Sequence, residues 1–175
     1  VRNKKSLVAV INGTDAKTIQ AVLAKISLEK RQQVKEVSMD MARNMGLAVE
    51  NSFPNSKSVI DRFHVVKLVM DAMQHLRVKF RWKAIEAENE TIKKTRAKGE
   101  KYIPAVLSNG DTEKELLARS RYLLYKFEED WTTNQIKRAN ILFEKYPLLK
   151  SAYKLTLQFR SIYQYTDKMK AASAF

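Results

Sequence analysis

Two aspartates stand where short apolar runs of the sequence end. Asp40 follows the run Val34–Met39, and Asp61 follows Ser58–Ile60. In open α/β sheets, ligands bind outside the carboxyl ends of the strands, and a carboxylate at that place can ligate a hard cation such as Mg²⁺. Aspartate is also a favoured residue at helix N-caps, so position alone favours the plainer role of a cap for each. Both interpretations stay open at this point.

A histidine follows the second aspartate closely, in the run Asp61-Arg-Phe-His64. If Asp61 is the N-cap of a helix, His64 occupies the third helical position, on the same turn. The carboxylate can then orient the imidazole, or both groups can face a metal ion or a phosphate. The alternative is a capping aspartate beside a histidine that is satisfied locally.

Basic side chains alternate with apolar ones in the run Arg77-Val-Lys-Phe-Arg-Trp-Lys83. On a helix, Arg77 and Arg81 share one face, whereas Lys79 and Lys83 point elsewhere. As a DNA contact, these four cations would neutralise phosphates and Trp82 would stack on an exposed base. A solvated helix face, with the tryptophan packed on a neighbouring helix, explains the same pattern equally well.

The composition limits the classes of function. The 175 residues include 33 Lys and Arg against 19 Asp and Glu, which gives a net charge of +14 and indicates a polyanionic partner, with nucleic acid first. The absence of cysteine excludes disulfide frameworks, thiolate zinc sites and thiol nucleophiles. No apolar run approaches the roughly 18 to 20 residues of a membrane span, and no signal-type segment follows the first residues, so we expect a soluble intracellular chain.

The first sixty residues alternate between strand and helix patterns. Leu7–Ile11 is an apolar, β-branched run stopped by a turn at Gly13, which predicts a buried strand. A helix with Asp15 near its start should follow, then a strand over Val34–Met39, a helix that ends at Phe53-Pro54, and a strand over residues 58–60. This order is typical of a mostly parallel α/β sheet.

After Asp61 the patterns are helical only. A long amphipathic helix is predicted to about Ala87, and a second helix follows the turn at Gly110 and continues to Phe127. A capping box from Thr132 to Gln135 predicts the start of a third helix, and a fourth follows Pro147. The predicted fold class is therefore α/β followed by all-α.

Two runs around the aspartates resemble a known family. Residues 37–42 (VSMDMA) and 56–68 (SKSVIDRFHVVKL) resemble the DDE transposases of bacterial insertion sequences, in particular the ISL-three type, whose cores read as a strand ending in Asp, a helix, and then Asp-Arg-Phe-His-Val. The later runs 118–124, 131–135 and 153–160 resemble the helical portion of that group. The resemblance covers nearly the whole chain.

The resemblance implies a fold, a cofactor and a set of roles. It implies a partial RNase H-like core over residues 1–62 (strand-helix-strand-helix-strand) and a helical insertion over residues 63–175. In such enzymes two Asp and one Glu hold two divalent ions, Mg²⁺ or Mn²⁺, which activate water or a DNA 3′-hydroxyl. Asp40 matches the second catalytic Asp and is thereby a metal ligand, whereas Asp61 and His64 match the Asp-x-x-His motif and are site-supporting.

The chain also departs from the family pattern. No residue of the chain can occupy the position of the first catalytic Asp, and none is assigned to that of the catalytic Glu, so we expect an internal fragment that does not cleave DNA by itself. The resemblance further implies double-stranded DNA as the partner and a bacterial, nucleoid-associated location in the cytoplasm. Exposed strand edges suggest self-association.

Two other functions fit the same residues. One is a non-catalytic basic helical module that binds DNA or RNA through phosphates alone. The other is an interaction scaffold whose charge serves solubility.

Overall fold

The computed structural model describes residues 7–175, most of which are helical. The chain divides into two compact units, the first ending at Val65 and the second beginning at Val66. Strands occur in the first unit and, apart from one isolated bridge, the described part of the second unit is built from helices and turns. This order agrees with the predicted class, α/β followed by helices.

The first unit contains one pair of strands among its described residues. The elements are α1 (Ala16–Leu23), α2 (Leu28–Gln32), β1 (Glu36–Met39), α3 (Arg43–Ser52) and β2 (Lys57–Ile60). The two strands are parallel, and their register runs from Glu36 opposite Lys57 to Met39 opposite Ile60. The parallel pairing expected from the alternation of strand and helix is confirmed.

Local signals begin and end the helices of this unit. The Asp15 side chain caps α1 by accepting a 3.0 Å hydrogen bond from the backbone N–H of Thr18, as its position predicts. Pro54 disfavours a helical conformation at Phe53, and α3 ends at the residue before. The short helix α2 was not predicted, and Arg31 holds it to the end of α3 by donating to the Ser52 carbonyl at 2.7 Å.

The strand predicted over Leu7–Ile11 is wrong. These residues form neither strand nor helix in the structure, and the Leu7 side chain is 82% exposed. An apolar β-branched run becomes a strand only when another backbone supplies hydrogen bonds, and the described sheet consists of β1 and β2 alone. The predicted strand-helix-strand-helix-strand order is therefore reduced to its last two strands, and residues 1–6 lie outside the described part.

Five helices and two short 3₁₀ turns account for most of the remaining chain. They are α4 (Arg62–Ala97), α5 (Glu113–Arg119), the 3₁₀ turns Leu123–Tyr125 and Glu128–Asp130, α6 (Thr133–Lys145), α7 (Pro147–Ile162) and α8 (Lys168–Ser173). The core of the second unit is a single buried cluster from α4 to α7: Met70, Met73, Leu116, Leu117, Leu123, Leu124, Ala139, Leu142, Leu149 and Tyr153.

Helix α4 is longer than its apolar pattern predicts. It continues past Ala87 to Ala97, because the charged residues that follow are strong helix formers and include the pair Glu90 and Lys93, one turn apart at 3.2 Å. It stops where Gly99 adopts a φ of 73°, a left-handed conformation that L side chains rarely adopt. Amphipathic periodicity therefore marks only the packed part of this helix.

Helix α5, in contrast, is shorter than predicted and ends at Arg119 instead of Phe127. In the segment that follows α5, backbone carbonyls accept hydrogen bonds from side chains that are distant in the sequence. The Trp131 indole donates to the Leu123 carbonyl at 2.8 Å, and the Tyr153 hydroxyl donates to the Lys126 carbonyl at 2.9 Å. The capping box predicted from Thr132 to Gln135 is confirmed.

A buried carboxylate joins α5 to α6. Asp111 is 2% exposed and forms ion pairs with Arg119 and with Arg138, the latter at 2.9 Å. Burial raises the pKa of the Asp111 carboxyl, but hydrogen bonds and charges from Arg138 and Arg119 outweigh burial and hold the pKa below its ordinary value. The charged form therefore stabilises the folded state.

We expect Asp111→Asn to lower the free energy of unfolding by about 2 kcal/mol at pH 7, because it removes the negative charge and one of the two oxygens that accept from the arginines at a buried position. Since the folded-state pKa is depressed, this contribution is present above the unfolded-state pKa of about 3.9 and is lost as the pH falls through the folded-state value. Denaturant unfolding at pH 7 and at pH 3 measures both effects. Asp130→Asn, at an exposed carboxylate, is the control and should leave both measurements unchanged; equal losses in the two variants would contradict the prediction.

Candidate functional site

The two aspartates lie side by side at the carboxyl edge of the sheet. Asp40 directly follows β1 and Asp61 directly follows β2, whose last residues, Met39 and Ile60, are register partners. The backbone N–H of Asp61 donates to the Met39 carbonyl at 2.8 Å, which continues the ladder beyond the last pair. Neighbouring strands are about 4.8 Å apart, so the two aspartates begin from adjacent backbone positions.

Each carboxylate makes a short-range turn with its own backbone. Asp40 Oδ1 accepts from the N–H of Ala42 at 3.0 Å, and Asp61 Oδ1 accepts from the N–H of Phe63 at 2.9 Å. The N-cap of α3 is Ala42, so the interpretation of Asp40 as the cap of that helix is wrong. Asp61 immediately precedes α4 and does occupy the capping position. These turns use one oxygen of each side chain.

His64 lies in the first turn of α4, at the third helical position that its spacing predicts. Its backbone N–H donates to the Asp61 carbonyl at 3.1 Å, and its half-buried ring meets the Phe63 ring edge-on, with the centroids 5.5 Å apart. The structure therefore places the imidazole on the turn that Asp61 opens. In the described part of the chain, no hydrogen bond joins the two side chains.

The oxygen ligands of this edge fit part of a magnesium site. Mg²⁺ is usually bound by one or two carboxylates, with waters and substrate phosphates completing its octahedron. Asp40 and Asp61 are two carboxylates at neighbouring strand ends. Within residues 7–175, no group of three or more acidic, histidine or cysteine side chains is arranged to hold a metal ion.

The predicted DNA-contacting run is divided by the fold of the second unit. Arg77 is 6% exposed, and its guanidinium donates to Gln74 Oε1 at 2.6 Å and to the Leu117 carbonyl at 2.7 Å. It thereby binds a carbonyl in the last turns of α5. Arg77 is therefore not a freely exposed cation of this run.

The other members of the run are exposed, and Trp82 stands out among them. Its side chain is 60% exposed, so the tryptophan is not packed on a neighbouring helix. Lys79 and Lys83 flank it on the outer side of α4, one helical turn apart, whereas Arg81 lies one turn from Arg77. Helix α4 thus has an outer lysine face, formed by Lys79 and Lys83, and an arginine side, formed by Arg77 and Arg81.

Sequence reasoning missed Arg121, which the structure adds to the arginine side of α4. The backbone carbonyl of Arg121 accepts a 3.1 Å hydrogen bond from Gln74 Nε2, and its guanidinium lies 5.6 Å from the centroid of the exposed Tyr122 ring. The basic run Arg119-Ser-Arg-Tyr122 is the signal in the sequence. Nothing in that run alone indicates that it packs beside Arg77.

Comparisons with known proteins identify one family. A family model described as a transposase matches residues 1–175, the whole chain. The searches of curated proteins and of solved structures found no match to the chain. Within the part of the chain that the structure describes, no helix has both the length and the apolar character needed to cross a membrane.

Two variants of Asp61 distinguish its role as a helix cap from the effect of its charge. We expect Asp61→Ala to lower the free energy of unfolding by about 1 kcal/mol, because α4 loses the acceptor at its start. Asp61→Asn keeps an acceptor oxygen at the same place and should cost only a few tenths of that amount. Urea unfolding of both variants makes the comparison, and equal losses would show that the charge, and not the cap, is what stabilises the helix.

Proposed function

Because this chain belongs to the ISL-three-type transposase family, we propose that it carries part of the catalytic site with which such an enzyme cleaves DNA and transfers strands at insertion-sequence ends. The observation that supports the proposal best is the parallel register of β1 and β2, which brings Asp40 beside Asp61. On this proposal residues 1–62 are part of an RNase H-like core and residues 63–175 are its helical insertion. The reaction is of the DDE type, and this chain supplies one of the three catalytic acids.

Asp40 is the metal ligand in this proposal, through the carboxylate oxygen that its local turn leaves available. A bound Mg²⁺ or Mn²⁺ ion would polarise the scissile phosphate and help to activate water or a 3′-hydroxyl. Asp61 is a positioning residue, because its bond to the Phe63 N–H begins α4 and so orients the turn that carries His64. The imidazole on that turn is placed to support the site as a proton carrier or as a phosphate contact.

Double-stranded DNA is the proposed partner, bound in the bacterial cytoplasm at the nucleoid. The net charge of +14 attracts its phosphates, and the outer lysine face of α4, Lys79 and Lys83, presents two cations beside Trp82. Self-association is part of the same proposal. The described sheet has only two strands, and the apolar side chains of Leu7, Val8 and Val10 are exposed beside no partner strand.

Metal binding by the chain tests the catalytic role. Asp40→Asn should weaken Mn²⁺ binding by at least about tenfold, since an amide replaces a charged ligand while the acceptor of the Ala42 N–H is kept. Titration of Mn²⁺ followed by electron paramagnetic resonance measures the loss.

Two controls accompany the titration. Asp130→Asn removes an exposed carboxylate elsewhere, and circular dichroism confirms that each variant keeps its helices. Unchanged Mn²⁺ binding in Asp40→Asn would remove Asp40 from the proposed site.

A second candidate function is a non-catalytic module that binds nucleic acid through phosphates. The exposure of Lys79, Trp82 and Lys83 on one helix supports it, because such a surface needs no metal. Under either function, replacing Lys79 and Lys83 by Gln should reduce the slope of log K against log salt by about 2, because each lost phosphate contact removes about 0.9.

Duplex DNA binding at several salt concentrations gives this slope, with Asp40→Asn as the matched variant that leaves the lysine face intact. An unchanged slope in the lysine variant would exclude this face from the contact. Mn²⁺ binding that depends on Asp40 favours the catalytic function, and DNA binding without such metal binding favours the second candidate.

A further inference from the structure

The end of α5 is held against α4 by two buried polar side chains. Arg77 donates to the carbonyl of Leu117 at 2.7 Å, and Gln74 donates to the carbonyl of Arg121 at 3.1 Å. Gln74 also accepts a 2.6 Å hydrogen bond from Arg77, so the three interactions form one connected network. The network therefore binds the backbone before and after the end of α5. These hydrogen bonds place the Cα of Arg121 beside α4.

Two further arginines, Arg81 and Arg121, begin from backbone positions beside this network. Arg81 lies one helical turn beyond Arg77, and side chains at that spacing have Cβ atoms about 5 to 6 Å apart. Burial lowers the pKa of the Arg77 guanidinium, and the nearby charges of Arg121 and Arg81 lower it further. The like charges therefore act on one another in the folded protein.

No acid of the described residues balances this cluster. Among residues 7–175, Arg77, Arg81 and Arg121 form no ion pair with a carboxylate. Arg119 and Arg138 offer the contrast within the same unit, because both pair with the buried Asp111. A buried guanidinium beside two further cations is costly unless an anion compensates for it.

A purely structural role explains only part of this arrangement. As a partner for the carbonyls at the end of α5, Arg77 has a sufficient reason to be buried. That role does not require Arg81 or Arg121, both of which are exposed and leave their charge at the surface next to it. Tyr122 is 70% exposed beside Arg121 and adds an aromatic face to the same surface.

We propose that Arg77, Arg81 and Arg121 form a site for a backbone phosphate of duplex DNA, made of other residues than the lysine face of α4. Arginine suits this role because its planar fork binds phosphate oxygens through two parallel hydrogen bonds. Arg77 is held rigid by the network and sets the position of the phosphate, while Arg81 and Arg121 reach it from the surface. The site rests on the proposed function only in that duplex DNA is the partner.

Salt-dependent binding of a duplex to the 175-residue chain tests the site. The double variant Arg81→Gln with Arg121→Gln should reduce the slope of log K against log salt by about 1, because one phosphate contact is lost, and each single variant should reduce it by less. The control is Lys150→Gln with Lys154→Gln, which removes the same charge from exposed positions on α7 and should leave the slope unchanged. In the wild-type chain, the Arg77 Nε–H signal in a ¹⁵N-edited spectrum should shift when the duplex is added.

The possible results separate the two proposals. A slope that falls in the arginine variants and not in the control supports the site. A duplex that binds the wild-type and arginine variants with the same slope overturns the site and leaves duplex DNA as the partner. Equal losses in the arginine variants and the control also overturn it, because net charge alone would then explain binding. A wild-type chain that binds no duplex overturns the site and the proposed partner together.

Discussion

Two parallel strands joined by a helix must end at the same edge of their sheet, and the candidate site of this protein depends on that constraint. The four register pairs from Glu36 with Lys57 to Met39 with Ile60 leave no freedom in where the next residues lie. Asp40 and Asp61 are those next residues. A shift of one residue in the register would separate them along the edge and turn one strand's side chains to the opposite face.

The carboxylates of Asp40 and Asp61, which are the candidate site residues, also form hydrogen bonds with the backbone. Each accepts a hydrogen bond from an N–H two residues later, and for Asp61 that bond is made at the start of α4. A helix start has backbone N–H groups without partners in the helix, and a carboxylate oxygen can accept from one of them. Structural and catalytic roles are therefore compatible at this edge, because a carboxylate has two oxygens and the turn uses one.

The arginines of the helical unit differ in whether their partners are charged or neutral. Arg119 and Arg138 share the buried Asp111, which ties α5 and α6 together. Arg77 is buried as well, but its partners are the neutral oxygens of Gln74 and Leu117. A buried guanidinium with neutral acceptors keeps most of its positive field, whereas an ion pair cancels it. The ion pairs of Asp111 therefore serve packing alone, whereas Arg77, with its neutral partners, leaves charge that a polyanion can use.

The sequence by itself determined the local features of this protein. The cap at Asp15, the stop of α3 before Pro54, the capping box at Thr132 and the position of His64 follow from neighbouring residues, since each is a short-range hydrogen bond or a steric exclusion. The aspartates at the strand ends were also predictable, because parallel strands share their carboxyl edge.

Only the tertiary structure decided the features that depend on distant partners. The run Leu7–Ile11 has strand composition but no neighbouring strand, so it stays irregular. Helix α5 ends early because Trp131 and Tyr153 take carbonyls of the following segment. Spacing placed Arg77 and Arg81 on one face of their helix, but the burial of Arg77 and the position of Arg121 beside it depend on where α5 packs. Hydrogen bonds between residues far apart in the sequence do not affect local periodicity, so only the tertiary structure identifies these partners.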